Sequence, residues 1–185
     1  INGLTDLMHP CQILADLMTI KEHKGKLKGL KLAYLGDGNN VANSLLHGCA
    51  KAGMHITVAS PEGYTCDSSC VAEARAQAHE TGSSVVLTED PLEAAEDADV
   101  IYTDTWASMG QEEEKGKRAQ IFMPYQVNSV IMGLAAKEAI FLHCLPAYRG
   151  YEVTSEVIDG PQSVVFDEAE NRLHAQKAIL VKLMR

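Results

Sequence analysis

The chain is predicted to be an α/β domain: a doubly wound parallel five-stranded sheet with helices on both faces. Three observations carry that prediction. Short apolar-rich runs alternate along the 185 residues with stretches of helical periodicity. Each of the first three helical stretches closes on a glycine, namely Gly25, Gly53 and Gly82, the residue that best accepts the left-handed turn at a helix end. Strands that alternate with helices pair in parallel, because each crossover returns the chain to the same end of the sheet.

Residues 6–24 carry a wide apolar face made of Leu7, Ile13, Leu14, Leu17, Met18 and Ile20. Pro10 marks the helix start, since its missing N–H is tolerated in a first turn. His9 then stands at the cap and Gln12 one turn on, with both polar heads expected near the unsatisfied N–H groups of the helix. Residues 30–35 read as a central strand, 36–40 as a tight turn and 41–52 as a helix. A second strand at 54–59 leads through Ser60-Pro61-Glu62-Gly63 to a helix over about 70–80, capped by Ser68 or Ser69. The third strand spans 84–88, and Pro91 opens a short helix at 92–96. The fourth strand, 100–103, is followed by Asp104, and residues 107–117, polar and glycine-bearing, read as a loop. A helix over 125–136 is expected despite Gly133. The fifth strand, 139–142, stops before Pro146, which cannot donate to a sheet ladder. One helical turn at 154–158 and a long helix over 163–185 follow, the latter with Leu173, Ala178, Ile179, Leu180, Leu183 and Met184.

Right-handed crossovers arrange these strands in the order 3-2-1-4-5, a Rossmann-like topology with its switch point between strands 1 and 4. The loops at 36–40, 104–110 and 144–150 then share one sheet edge. Open α/β sheets bind their ligands at that edge.

Composition narrows the function. With 46% hydrophobic residues the chain can bury a real core, and its length suits one domain. A net charge of −9 with scattered Lys and Arg argues against nucleic acid and against an anionic membrane surface. An anionic substrate would need a local pocket. No run approaches the roughly 18 apolar residues of a membrane span, and no signal-peptide pattern opens the chain. It begins Ile-Asn-Gly without Met, as a fragment would. Five cysteines, odd in number and irregularly spaced, point to a reducing cytoplasm. Cys66-x3-Cys70 has no second Cys/His pair at zinc spacing, so no metal is expected.

The loop after strand 1 matches a dinucleotide site poorly. Gly36-x-Gly38 supplies two glycines, but Val41 stands at the third position. Strand 2 ends in Ala59-Ser60-Pro61, where an acid would bind ribose hydroxyls. Asn39 and Asn40 instead offer neutral amide donors at a helix N-terminus, which suit a small carboxylate. Asp104 is an acceptor for an ammonium group, Ser108 adds a hydroxyl, and Gly110 lets the Met109 N–H approach a ligand. A carboxylate site beside an ammonium site is what a zwitterionic amino acid requires. His143, Cys144 and Arg149 lie at or past the end of strand 5. His143 is expected on the opposite side of its strand from Cys144, and Arg149 reads as a surface residue.

His9-Pro-x-Gln12, Gly36-Asp-Gly-Asn-Asn40, Asp104-x-x-x-Ser108-Met-Gly110, His143-Cys-Leu-Pro146 and Glu170-Asn-Arg172 together resemble the ornithine carbamoyltransferases, in order and over essentially the whole chain. Asp-x-x-x-Ser-Met-Gly with His-Cys-Leu-Pro marks the ornithine branch, whereas His-Pro-x-Gln is shared across the wider family. The likeness covers only the ornithine-binding domain. The family's Ser-x-Arg-Thr carbamoyl phosphate signature is absent from this chain, so an isolated C-terminal domain or a cut form is expected.

The resemblance implies a single ornithine-binding domain over 1–185, with 1–28 and 163–185 bridging to an N-terminal carbamoyl phosphate domain. It implies ornithine and carbamoyl phosphate as substrates, citrulline and phosphate as products, a place in arginine biosynthesis, no cofactor and no metal. The full enzyme would be a homotrimer or a multiple of one. Asn40 and the Met109 N–H would hold the ornithine α-carboxylate, and Asp104 with Ser108 its α-amino group. His9, Gln12, Cys144, Leu145 and Arg172 would contact carbamoyl phosphate. Cys144, Asp104, His9 and Arg172 would be catalytic, with Cys144 orienting the δ-amine near Asp104, and His9 and Arg172 meeting the developing oxyanion. Cys144 as a covalent nucleophile is disfavoured, because no His-Asp relay is readable. Residues 111–116 would form a lid over ornithine. Three other readings stand as alternatives: a carbamoyltransferase for putrescine, which lacks the α-carboxylate, a nucleotide-binding domain of an oxidoreductase, and a non-catalytic regulatory or interaction module. Alone, the chain is expected to bind ornithine weakly, to catalyse little, and to expose apolar faces of its bridging helices.

Overall fold

The computed structural model describes residues 1–106 and 115–184. The elements run α1 (Pro10–Lys24), β1 (Lys31–Leu35), α2 (Asn40–Ala52), β2 (His55–Ala59), α3 (Ser68–Thr81), β3 (Val85–Thr88) and α4 (Pro91–Ala95). They continue with β4 (Val100–Thr103), α5 (Lys115–Phe122), α6 (Ser129–Leu134), β5 (Ile140–His143), α7 (Ser155–Ile158) and α8 (Val165–Leu183). A single sheet has the order β3-β2-β1-β4-β5 with every pair parallel, as predicted.

Alternation along each strand divides the core in two. Leu32, Tyr34, Ile56 and Tyr102 face one side of the sheet and pack with Ile13, Ile20 and Leu45. Ala33, Leu35, Ile101 and Phe141 face the other and pack with Ala94, Ile131 and Val157. The register sets the functional edge: Leu35 lies opposite Thr103, and Thr103 opposite His143. Gly36, Asp104 and Cys144 therefore leave three adjacent strands at the same level.

Several elements differ from expectation. The α3 cap is Asp67, whose carboxylate accepts from Ser69 and Cys70 N–H. The helix expected over 125–136 is a 3-10 turn at Met123–Tyr125 followed by α6, which Asn128 caps. The stretch read as a loop gives way to α5 at Lys115. That helix is held by distant partners: the buried Arg118 guanidinium pairs with Asp37, donates to the Trp106 carbonyl, and lies over the rings of Tyr64 and Phe122.

The face that α1 buries includes Ile13 and Ile20 of the expected apolar face, but also polar residues that were not expected there. Gln12, Asp16 and Thr19 are buried beside Ile13, Ala15 and Ile20, while Leu7 and Leu14 are exposed. The reason is α8, which presents Glu168, Asn171 and Arg172 to them; Asn171 Nδ2 donates to Thr19 Oγ1 at 2.9 Å. The leucines of α8 point away: Leu173, Leu180 and Leu183 are exposed, as is Met184. Among the described residues, no helix is long and apolar enough to cross a membrane.

Candidate active site

The turn after β1 is tight because Gly36 has φ of +142°, a left-handed value that favours glycine. Two residues on, a Cβ at Gly38 would lie 2.2 Å from the Cys66 backbone nitrogen, so only glycine fits. The turn delivers Asn39 to the α2 N-cap, where its carbonyl oxygen accepts from Val41 and Ala42 N–H. Its amide is then free to donate sideways, to Asp104 Oδ2 at 2.8 Å.

Asp104 is buried at the end of β4. Its Oδ1 accepts from the Thr105 N–H at 2.7 Å and from the Cys144 thiol at 3.1 Å. Burial and the Asp104 charge push the Cys144 thiol well above its ordinary range. Cys144 is thus a protonated donor rather than a thiolate, which removes the condition for nucleophilic attack.

His143 faces the other way, as predicted, into the core. The Leu145 N–H donates to its Nδ1 at 2.9 Å, and its Nε2 meets the buried Glu152 carboxylate at 3.3 Å. Glu152 Oε1 also accepts from the Tyr148 N–H. These contacts hold Leu145 at φ of +53°, a conformation a branched residue adopts only when its surroundings impose it. Asp104, His143 and Cys144 bring ligand-type atoms within 4.8 Å of one another. Both ring nitrogens of His143 already have partners, so the trio does not have the free donor set of a metal centre. Arg149 forms a half-exposed, two-pronged pair with Asp159, a surface contact.

A cavity of about 540 Å³ opens at this edge, and His9, Asn40, Asp104, Cys144 and Leu145 line it together with Trp106. Asn40 Nδ2 donates to the Thr5 carbonyl at 2.8 Å. The His9 ring meets the Gly3 carbonyl through Nδ1 at 3.1 Å, and since a carbonyl only accepts, Nδ1 carries the proton. Burial, with Arg172 nearby, lowers the His9 pKa below its ordinary value.

Five of the residues singled out from sequence thus share one cavity. Gln12 and Arg172 sit behind it: Gln12 is buried and points at Asp16, Glu168 and Arg172, not at the helix N-terminus. Ser108 and Met109 lie outside the described residues, as do residues 111–114 of the predicted lid. Sequence reasoning missed Asp16, Glu168, Glu152 and Arg118. Asp16 and Glu168 left a local signal, each standing one turn from a residue singled out on the same helix, Gln12 and Arg172.

Residues 28–183 match the family described as aspartate/ornithine carbamoyltransferase, Asp/Orn binding domain. The chain is 62% identical over 185 residues to an ornithine carbamoyltransferase of Renibacterium salmoninarum, covering 100% of this chain and 60% of that protein. It is 59% identical over 184 residues to the ornithine carbamoyltransferase of Bacillus subtilis, covering 100% of this chain and 58% of that protein. The crystal structure of ornithine carbamoyltransferase from Gloeobacter violaceus superimposes with a TM-score of 0.94 at 56% identity, covering 100% of this chain and 62% of that one. That from Pyrococcus furiosus gives 0.93 at 56% identity, covering 97% and 57%. The chain therefore spans about 60% of the length of the curated relatives it matches.

Proposed function

The chain belongs to the aspartate/ornithine carbamoyltransferase family, and from that membership we propose that it is the L-ornithine-binding part of an ornithine carbamoyltransferase. Joined to a carbamoyl phosphate domain, it would transfer the carbamoyl group to the ornithine δ-amine, giving citrulline and phosphate. The observation that carries the reading is the Asp104–Cys144 contact at the switch-point edge, with Asn40 on the same cavity.

A carboxylate offers about four acceptor positions. Asn39, Thr105 and Cys144 take three at Asp104, and the remaining one suits an ammonium group of ornithine. Asn40 would turn its amide from the Thr5 carbonyl to the α-carboxylate, joined there by the Met109 N–H, and Ser108 would join Asp104 at the α-amino group. An alkyl ammonium has a pKa near 10.4, so the δ-amine must lose a proton before it attacks. The Cys144 sulfur, held by Asp104, is placed to orient the free amine towards the carbamoyl carbon, which makes the attack effectively intramolecular. The tetrahedral intermediate then expels phosphate.

His9 and Arg172 would stabilise the oxyanion, and Gln12 and the Leu145 backbone would contact the carbamoyl group. Because His9 Nδ1–H is given to Gly3, donation from Nε2 requires the imidazolium, which burial and Arg172 oppose in the free chain and which the negative charge of a bound carbamoyl phosphate would favour. Contact with the first domain would run through α1 and α8, whose exposed leucines support that assignment. A homotrimeric enzyme in arginine biosynthesis fits the family, and five free cysteines suit a reducing cytoplasm. The test is calorimetry with L-ornithine, putrescine and NAD, since an α-carboxylate site separates the first from the second and Val41 and Ala59 argue against the third.

A further inference from the structure

Behind the cavity, α1 and α8 meet through a buried polar cluster centred on two carboxyl groups, Asp16 and Glu168, each with no exposed surface. Gln12 Nε2 donates both its hydrogens to this pair, at 2.8 Å to Asp16 Oδ1 and 3.0 Å to Glu168 Oε1. With its NH₂ group held in this way, the Gln12 carbonyl faces Arg172 and accepts from Nη1 at 2.5 Å. Glu168 also accepts from the Tyr102 hydroxyl at 3.1 Å and from the His143 backbone N–H at 2.9 Å. One carboxyl group thus joins α1, α8, β4 and the start of the Cys144 turn.

Asp16 Oδ2 is buried with no donor to meet it. One oxygen of each carboxyl group lies on the same Gln12 nitrogen, at 2.8 and 3.0 Å, so two negative charges there would repel at close range and the pair holds a proton on one member. Two buried carboxylates without a cation in contact would be very unfavourable. Arg172 meets Gln12, and its own Nε is buried without a partner among the described residues.

We propose that Asp16 and Glu168 are positioning residues that share a proton, and that this shared proton holds Gln12 and Arg172 in place for the carbamoyl phosphate side of the site. The proposal rests on the functional reading above. While the proton is present, the pair carries at most one negative charge, and Arg172 keeps its own charge for an anionic ligand. Loss of the Asp16 proton, with Glu168 still protonated, places a buried carboxylate next to Gln12 and draws the guanidinium inward. Burial raises both carboxyl groups, Asp16 to about 7. The other groups facing the pair are Tyr102 on β4, Cys144 after β5, Cys49 on α2 and Arg172. Burial raises the tyrosine and both thiols, so they stay neutral while the pair titrates.

Side-chain NMR on the chain tests this directly. In the unsubstituted protein the Gln12 amide resonances should shift with a midpoint near pH 7, together with the Asp16 carboxyl carbon. In Asp16→Asn, a permanent N–H stands where the shared proton lies, and its carbonyl still accepts from Gln12. Its Gln12 resonances should rest at the low-pH positions and not move. Static Gln12 and Asp16 signals between about pH 5 and about pH 9 in the unsubstituted protein would overturn the proposal, and so would an unchanged Gln12 titration in Asp16→Asn. If Asp16→Asn does not fold, the Asp16 carbon titration of the unsubstituted chain decides alone. Ornithine titration of the same samples separates the two readings: lost ornithine binding with an intact titration counts against the function, and the converse against the shared proton.

Discussion

The Cys144 thiol donates to Asp104 Oδ1 across 3.1 Å, joining the carboxyl ends of β5 and β4 through two side chains 40 residues apart. The contact keeps the thiol protonated. Asp104 supplies the negative charge, and Cys144 remains a thiol because burial and that charge both oppose its ionisation.

Alkylation of Cys144 should therefore be slow at neutral pH. Asp104→Asn removes the opposing charge and lowers the thiol pKa, so more thiolate is present at any given pH. The rate should rise roughly threefold for each unit the pKa falls, because a tenfold gain in thiolate is partly offset by its lower nucleophilicity. Mass spectrometry of iodoacetamide-treated protein, followed against pH, measures this; equal rates in the two proteins would contradict it.

Asn39 serves two partners at once, the α2 N-terminus and Asp104. Asn39→Ala should lose about 1 kcal/mol of capping, plus about 1–3 kcal/mol for a buried carboxylate oxygen left without its donor. Asn39→Asp keeps the cap but sets two carboxylates side by side. Like charge raises their folded pKa values, so this variant should lose stability as pH rises above the ordinary carboxylate range. Urea unfolding of the parent and both variants at acid and neutral pH separates the two mechanisms.

Gly38→Ala forces a Cβ to within 2.2 Å of backbone atoms of Thr65 and Cys66. Backbone on the facing side cannot swing aside as a long side chain can. The expected loss is on the order of 1–3 kcal/mol or more, with Asn39 drawn off Asp104. Thermal unfolding reads the first effect, and the Asn39 amide resonance the second.

Asp16 should give an inverted pH dependence. Its folded pKa of about 7 lies above the ordinary 3.8, so between those values the folded protein holds a proton that the unfolded chain releases. Its contribution to stability is greatest below the unfolded value and falls as pH rises towards the folded one, at up to about 1.4 kcal/mol per pH unit. Asp67 and Asp159, both lowered by hydrogen-bond partners, act in the opposite sense at more acid pH. Asp16→Asn should make the decline shallower and leave the share of Glu168, which burial also raises, as read by denaturant unfolding between about pH 4 and about pH 7.

All five strands and their order were legible in the sequence, because apolar runs and glycine helix ends are local signals. So was the edge where Asn40, Asp104 and Cys144 meet, since right-handed crossovers leave few topologies. What was not legible depends on distant partners. Nothing near Arg118 announces a helix; Asp37 and Tyr64 hold it from other loops. The apolar pattern of α1 pointed to Ile13 and Ile20 but not to the buried polar side, because Glu168 and Asn171, some 150 residues on, are what give that side its partners. Asn39 read, with Asn40, as a donor for a small carboxylate; instead its carbonyl caps α2 and its amide is taken by Asp104, at the end of another strand.

The measurement that bears most directly on the account is isothermal titration of the chain with L-ornithine, putrescine and NAD, repeated on Asp104→Asn. The account predicts weak one-to-one binding of L-ornithine, none of putrescine or NAD, and an affinity for ornithine at least tenfold lower in Asp104→Asn. Binding of putrescine as tight as ornithine, binding of NAD, or no binding of ornithine by the folded chain would contradict it.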